Sequence, residues 1–453
     1  MDITDYPELT AKATGLFQIS ELTSLHCVKT DFPALFADGF STTLQHSYVA
    51  NVKLVGFPYK SPKAYFSTGE QRTAIQQYIT QSKDNGLIVP IQLDELVVLS
   101  PVFPLKQSAD KIQIITDLRQ VNRYLQYTTR PIPRTQSILA ELTAKSIFTT
   151  VDISKAYQQL PLSGDAIGII TEFGSFRFTW LPYGLASAPY WWGEFIQSLI
   201  AKLPPRLATI VRYYYDDILV ASDSPEEHLT VVHELFSILQ DAGLTISEKK
   251  LQLAQDSVDF LGYHISHNRY RIDDSKIDII KRWTLPTTKE GVLKFAGFVN
   301  YLRNFIPNAS GLLAPFYGLL DKDRYPVFPT TDVITTATST QFTEIKHWIT
   351  KSLSLKLFDP QGPTIIYSDV SLLGASSILF QPELRKGKPL FYPIVFHSLD
   401  SLPHSKTILL WSVSFSPFLA PLKSLVFLLG PSIAALNTNG TNTTYIRSND
   451  RGA

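Results

Sequence analysis

Cysteine is nearly missing from this chain: Cys27 is the only one among 453 residues. That excludes an internal disulfide and any multi-cysteine zinc site, and a reducing, intracellular setting is the expectation. Excess charge is lacking too. With 41 Lys and Arg against 40 Asp and Glu the formal net charge is +1. The chain is therefore no polycation, and nucleic-acid binding would have to come from a local basic groove. The N-terminus from Met1 to Glu8 is acidic and has no apolar core, so no secretory signal is expected. What the chain does have is 44% hydrophobic and 18% charged residues, the balance of a soluble globular protein. Its length implies roughly two to four domains with sizeable cores.

The stretch from Val211 to Ser222 organises the rest. Tyr213 to Tyr215 and Ile218 to Val220 are strand-forming runs, and Asp216 and Asp217 stand between them. The pattern predicts a β-hairpin with both carboxylates at its tip. Two such acids alone are better explained as turn-formers, since Asp bonds its own backbone. A third acid changes the reading. Asp152 ends a strand-like run that starts at Phe148 and then opens a helical turn. Such an acid beside the hairpin would let three carboxylates hold two divalent cations roughly 3.5–4 Å apart. Magnesium takes carboxylate, phosphate and water oxygens, so the site would be half built until a nucleotide arrives.

Tyr214 to Asp217 match the Y-x-D-D box of reverse transcriptases, and Phe148 to Tyr157 match the strand–helix box with their other catalytic Asp. Leu181 to Pro189 resembles the L-P-x-G-L-x-x-x-P box that packs beside the incoming nucleotide. Asp117, Arg119 and Asn122 resemble the D-x-R-x-x-N segment joining fingers to palm, and Phe260 to Tyr263 resembles the primer grip. Order and spacing are similar to the polymerase of Gypsy-type LTR retrotransposons, from about Phe32 to about Gln381.

The resemblance implies an α+β right-hand polymerase with fingers, a ferredoxin-like palm and a helical thumb, followed by a partial RNase H-like α/β unit. Laid on the chain, it gives a partly ordered lead-in over 1–61, fingers and palm over 62–268 and thumb and connection over 269–357. A truncated RNase H-like domain over 358–436 and a disordered tail over 437–453 complete it. No protease or capsid-like segment precedes the polymerase, so a piece of a polyprotein or a separately coded remnant is expected. The implied activity is RNA-directed DNA polymerase, adding deoxynucleotides to a primer 3′-hydroxyl by two-metal phosphoryl transfer. Magnesium, or manganese in its place, would be held by Asp152, Asp216 and Asp217. Lys250 takes the position of the lysine that protonates the leaving pyrophosphate. Tyr157 resembles the steric gate against a ribose 2′-hydroxyl, and Lys106, Lys111, Arg119, Tyr183 and Gly184 would contact the nucleotide. Phe260, Leu261, Gly262 and Tyr263 would press on the primer terminus. Partners are an RNA or DNA template–primer duplex and deoxynucleoside triphosphates, with a second copy or other polyprotein segments as protein partners and no membrane. The expected location is the cytoplasm, a virus-like particle or the nucleus.

The sequence departs from the family in several places. The two fingers cations that grip phosphates are replaced by Gln107 and Gln113. Lys106 and Lys111 lie close by, but a one-residue slip turns a strand side chain to the other face. Weakened triphosphate binding is therefore expected, and an ordinary low-micromolar KM would overturn it. Past Pro189, where the family has Phe-Gln, this chain has Trp192 and Gly193. In the nuclease unit Asp369 keeps the first metal ligand, but Ile408 stands in the glutamate's place and no aspartate occurs near Leu429 and Gly430. One carboxylate cannot clamp two metals, so no RNase H activity is expected. The apolar run from Ile408 to Leu436 holds one charge, Lys423, and reads as a decayed nuclease core rather than a membrane span, being broken by Pro417, Pro421 and Pro431.

Helix signals fill in the scaffold. Ser67 to Glu70 has capping-box spacing, and Asp84 to Gly86 stops the helix. Glu226 to Ala242 reads as a helix with Leu229, Val232, Leu235, Phe236 and Leu239 inward, His228 and His233 as surface or packing residues, and Gly243 as its cap. In the thumb, Ile277, Ile280 and Trp283 form a stripe broken by Pro286. Thr287 to Glu290 reads as a second capping box opening a helix through Phe305, with Val292, Phe295, Ala296, Val299 and Leu302 inward. Lys281, Arg282, Lys294 and Arg303 would line a phosphate-tracking groove. A loop over 320–340 and a helix from Gln341 to Leu357 are expected next. For Arg177 a structural ion pair and a substrate contact are equally open. Two function classes stand: the polymerase, favoured by the intact acids, and a non-catalytic nucleic-acid-binding or structural relic, favoured by the lost cations.

Overall fold

The computed structural model describes residues 25–37, 48–57, 62–91, 95–108, 111–127, 135–359, 362–371, 374–385, 388–400, 425–429, 432–436 and 444–446. The chain divides into two units, one of Met1–Pro133 with Ile147–Gln255 and one of Arg134–Ser146 with Asp256–Ala453. The expected boundary at 268/269 falls within the second.

The first unit contains β1 (Ala50–Leu54), β2 (Ile88–Pro90), β3 (Val98–Ser108), β4 (Lys111–Thr116), β5 (Leu125–Gln126) and β6 (Ile147–Asp152). It continues with β7 (Leu162–Gly164), β8 (Ile167–Thr171), β9 (Gly174–Phe178), β10 (Val211–Tyr214), β11 (Asp217–Ser222) and β12 (Gln252–Gln255). Its long helices are α1 (Gly69–Asp84), α2 (Ala188–Ile200) and α3 (Pro225–Asp241). The strands make three sheets, ordered β5-β1-β7, β2-β9-β8-β3-β4 and β10-β11-β6-β12. The last holds the site. In β6, Ile147 to Val151 are all buried, as a central strand covered on both faces requires. The core includes Trp192, Phe195, Val231, Leu235 and Phe236 from α2 and α3 together with Val151, Ile218 and Val220. Where β8 meets β9, a Cβ on Gly168 would stand 2.1 Å from the Phe176 carbonyl, so only glycine admits this approach.

Helix ends follow local chemistry, with corrections. Ser224 caps α3 by accepting from the Glu227 N–H, Pro225 fills the first turn, and Gly243 ends it at φ +75°. The buried stripe is shifted from the expected one: His228 and Val231 join it, whereas Leu229 is only half-buried. At α1 no capping box forms. Thr68 is the N-cap and its side chain makes no cap bond; the stop at Asn85 and Gly86 is as expected. The lead-in is also more structured than its lack of periodicity implied, since β1 pairs with β7 and a helix spans Leu25–Asp31.

In the second unit β13 (Ser257–Phe260), β14 (Tyr263–Ser266) and β15 (Arg269–Ile272) lead to the helices α4 (Asp274–Arg282), α5 (Lys289–Tyr301), α6 (Ala309–Gly318) and α7 (Thr331–Thr350). β16 (Leu355–Lys356) then returns to β15 to close a four-stranded sheet. The cap of α5 is Thr288, bonded from the Gly291 N–H at 3.1 Å, one residue later than the expected box. The helix ends at Tyr301, and Arg303–Phe305 forms a separate 3-10 turn. α4 ends at Arg282, before Pro286 is reached. α6 was not foreseen, and α7 starts ten residues before the expected Gln341 and stops short of Leu357. Thr338 explains the miss: it is fully buried within the stripe of Ile334, Phe342, Ile345 and Ile349, its hydroxyl bonded to the Ile334 carbonyl at 2.7 Å. Of the proposed groove cations, Arg303 is instead structural, donating to the Ser398 carbonyl at 2.7 Å and to the Ser310 hydroxyl at 3.0 Å. Lys281 pairs with Asp278 at 3.2 Å, and Arg282 and Lys294 are exposed.

The last sheet runs β19-β18-β17-β20-β21-β22, from β17 (Thr364–Ser371), β18 (Gly374–Arg385), β19 (Lys388–Asp400), β20 (Leu425–Leu429), β21 (Ser432–Leu436) and β22 (Thr444–Ile446). β17 is antiparallel to β18 and parallel to β20, and Asp369 lies on it. Ile408, Gly430, Pro417, Pro421, Lys423 and Pro431 lie outside the described residues. In the expected disordered tail, Thr444–Ile446 is a strand paired with β21, and the rest lies outside the described residues. Among the described residues no helix is long and apolar enough to cross a membrane.

Candidate active site

β6 and β11 run antiparallel in a register that sets Asp152 directly opposite Asp217. β10 and β11 pair from Val211 with Val220 to Tyr214 with Asp217, leaving a two-residue turn of Tyr215 and Asp216. The tip is thus Tyr215–Asp216, and Asp217 sits one step inside as the first strand residue. No glycine relieves this turn, and Tyr215 takes a left-handed φ of +55°. Two tethers hold it. The Ile153 N–H donates to the Asp216 carbonyl at 2.9 Å, and the Trp192 indole N–H donates to the Tyr215 carbonyl at 2.8 Å.

Like charge accumulates at this strand end. Burial, then the charges of Asp216 and Asp152, push the Asp217 carboxyl up to about 6. Asp216 is raised as well, chiefly by burial. Lys250, on the 3-10 turn Glu248–Lys250, bonds the Asp152 carboxylate at 2.7 Å, and that bond holds its ammonium above the usual lysine range. Among the described residues no three His, Cys, Asp or Glu side chains stand close enough to form a metal cage by themselves. Magnesium does not need one, since it keeps water and phosphate oxygens and takes only a few carboxylates. The donor set is all carboxylate oxygen, with negative charge in excess, and fits such a hard cation.

The nucleotide-side residues divide. Tyr157 and Tyr183 have ring centroids 5.3 Å apart; burial raises both phenols, Tyr183 to about 12. Gly184 turns at φ +91° and is held by Asn122, whose side chain donates to the Gly184 carbonyl and accepts from the Ala186 N–H, both at 2.9 Å. Tyr183 and Gly184 line a cleft of about 270 Å³ together with Gln113, Thr116, Gln158 and Trp180, and among the described residues no Lys or Arg lines it. In the fingers hairpin Leu105 pairs with Gln113 and Lys106 with Ile112, so Lys106 occupies the face opposite Gln113. Gln107 falls where the register shifts, at a β-bulge, and Lys111 pairs with Ser108. Arg119 is exposed and doubly bonded to Asp117, at 2.8 and 2.7 Å. Arg177 resolves as an ion pair, 2.7 Å from Glu95.

In the second unit the expected primer-grip residues form a tight hairpin. Leu261 and Gly262 make its turn at φ +49° and +76°. Phe260 and Tyr263 are buried, Tyr263 stacked between Tyr301 and Phe305, so they pack the core and leave Leu261 and Gly262 as the half-exposed tip. The Tyr301 hydroxyl donates to the Leu261 carbonyl.

Residues 105–265 match the family model for reverse transcriptase (RNA-dependent DNA polymerase). The matched stretch includes every expected site residue from Lys106 to Tyr263. Two relatives from Schizosaccharomyces pombe, the Transposon Tf2-3 and Tf2-7 polyproteins, are each 29% identical over 357 residues, 78% of this chain and 25% of the polyprotein. The chain thus spans a quarter of their length. Among solved structures, the foamy viral protease-reverse transcriptase in complex with dsDNA superposes with a TM-score of 0.73 at 18% identity, covering 92% of this chain and 88% of that one. The same viral protein in complex with an RNA/DNA hybrid gives 0.71 at 19% identity, covering 94% and 57%. The chain therefore has the retroviral reverse transcriptase polymerase fold.

The supports of this site are not evident in the sequence. Asn122 was seen only as part of a motif, and Trp192 only as a departure. Gln159, buried after the Asp152 turn, bonds both the N–H and the carbonyl of Thr245 at 2.8 and 3.0 Å. His228 had a readable signal, since it continues the 3- and 4-residue spacing of Val231, Val232, Leu235 and Phe236.

Proposed function

We propose that the chain is an RNA-directed DNA polymerase that adds deoxynucleotides to the primer end of a template–primer duplex. The observation that carries this reading is the register pairing of Asp152 with Asp217, with Asp216 on the adjoining turn. Asp152, Asp216 and Asp217 would hold magnesium, which supplies charge neutralisation and activation of the primer hydroxyl. Lys250 keeps its proton beside Asp152, where it can be handed to departing pyrophosphate. Tyr157, braced by Tyr183, bars a ribose 2′-hydroxyl. The foamy viral relatives in complex with dsDNA and with an RNA/DNA hybrid support a duplex as partner. Contacts to its backbone make binding sequence-tolerant and weakened by salt.

Extension of oligo-dT on poly-rA, run beside Asp216→Asn, tests the proposal. Extension by the wild type alone supports it; none by either favours the non-catalytic relic, the reading that Gln107 and Gln113 motivate. The uncharged cleft leads to a second expectation. Gln113→Arg restores a cation at the cleft wall and should lower the KM for deoxynucleotides about tenfold, the size of one charge-assisted phosphate contact. An unchanged KM would show that Gln113 does not face the triphosphate. For the nuclease unit we propose no cleavage of an RNA–DNA hybrid, and labelled fragments released by the pure protein would contradict it.

A further inference from the structure

We propose that Trp192 is a positioning residue for the catalytic turn, fixing through its indole N–H the separation at which Asp216 and Asp217 face Asp152. This rests on reading those acids as the metal ligands. The turn has two backbone carbonyls that must find partners. The Asp216 carbonyl is bonded from Ile153, the residue after Asp152, which ties the turn to β6. The Tyr215 carbonyl is bonded from Trp192 on α2, which ties it to the core. Tyr215 has a side chain and a left-handed backbone, a conformation that persists only where the surroundings impose it. Trp192 is suited to impose it, being fully buried, with its ring 5.7 Å from Phe195 and edge-on to Tyr157 at 6.3 Å. Phenylalanine at this position would fill much of the same space and could not donate. The indole therefore adds one directed bond to the turn, and the same ring backs the Tyr157 gate.

Binding of Mn²⁺ to the full chain, followed by loss of the free-ion electron paramagnetic signal without nucleotide, gives a readout apart from turnover. Trp192→Phe keeps an aromatic ring and removes the donor. It should weaken Mn²⁺ binding and raise the half-saturating Mg²⁺ in primer extension by about tenfold, the lower end of what losing a residue that orients metal ligands typically costs, with kcat lowered and the template–primer KM unchanged. Phe195→Leu, which loosens the same cluster and leaves the donor, should lower the melting temperature and leave Mn²⁺ affinity at the wild-type value. The proposal is overturned if Trp192→Phe binds Mn²⁺ like the wild type, if Phe195→Leu weakens binding equally, or if Trp192→Phe does not fold and so acts through the core. A wild-type chain that binds no more Mn²⁺ than Asp216→Asn overturns the metal-site reading itself.

Discussion

Asp217→Asn is expected to abolish primer extension, by at least about a thousandfold or ~4 kcal/mol in the barrier, and to leave the fold as stable as before or more so. The second half follows from the carboxyl's surroundings. Burial and the neighbouring charges of Asp216 and Asp152 raise it from 3.8 to about 6, so folding opposes its ionised form. The sign is therefore that Asp217 costs stability progressively as pH rises from its unfolded value through about 6. Asparagine has the same shape and no charge, and above that range it relieves the cost. Melting curves at pH 8 should place the variant at or above the wild type, with the two converging near pH 4. An extension rate within tenfold of the wild type would remove Asp217 from the chemistry, and a large fall in melting temperature would make it structural.

A second large effect is expected from His228. Its imidazole is fully buried beneath the catalytic sheet, bonded to Thr149 of β6 and Ser222 of β11, both at 2.8 Å. The Ser222 hydroxyl gives its proton to the Ser224 carbonyl at 3.3 Å, so it accepts from the Nδ1–H, and Nε2 accepts from the Thr149 hydroxyl. Burial lowers the imidazole from 6.5 to about 4. For a depressed group the contribution is complete above the unfolded value and is lost as pH falls through the folded one. Between pH 7 and pH 4 this histidine should remove about 3 kcal/mol of stability, felt at the strands that carry Asp152 and Asp217. Urea denaturation across that range, wild type against His228→Gln, isolates the term. Parallel pH profiles would mean that the ring does not titrate out of a buried neutral state.

The sequence spoke most clearly where chemistry and local geometry coincide. The three acids had to lie at strand ends or the turn between them, and the strand-forming runs Phe148 to Val151 and Ile218 to Val220 placed them there. The helix after Ser224 was readable for the same reason. Contacts remote in sequence were not. Nothing near Arg303 announces that its guanidinium closes on a carbonyl 95 residues away. Thr338 hid ten residues of α7 because a threonine inside a helix reads as a break until its hydroxyl is seen bonded to its own backbone. Phe260 and Tyr263 were read as a ligand-facing pair, but aromatic bulk in a tight hairpin is buried more cheaply than it is presented. The Trp192 bond escaped because a departure from a pattern shows that something changed, not what it now touches.

The neighbours of β6 carry a consequence for biosynthesis. One of them, β12, includes Gln252, whose side chain bonds Thr150 across 102 residues of sequence. Until that segment leaves the ribosome, the strand bearing Asp152 has one edge unsatisfied. A nascent chain stalled before residue 252 should accordingly be cut readily by protease around β6, and one released beyond residue 255 should resist.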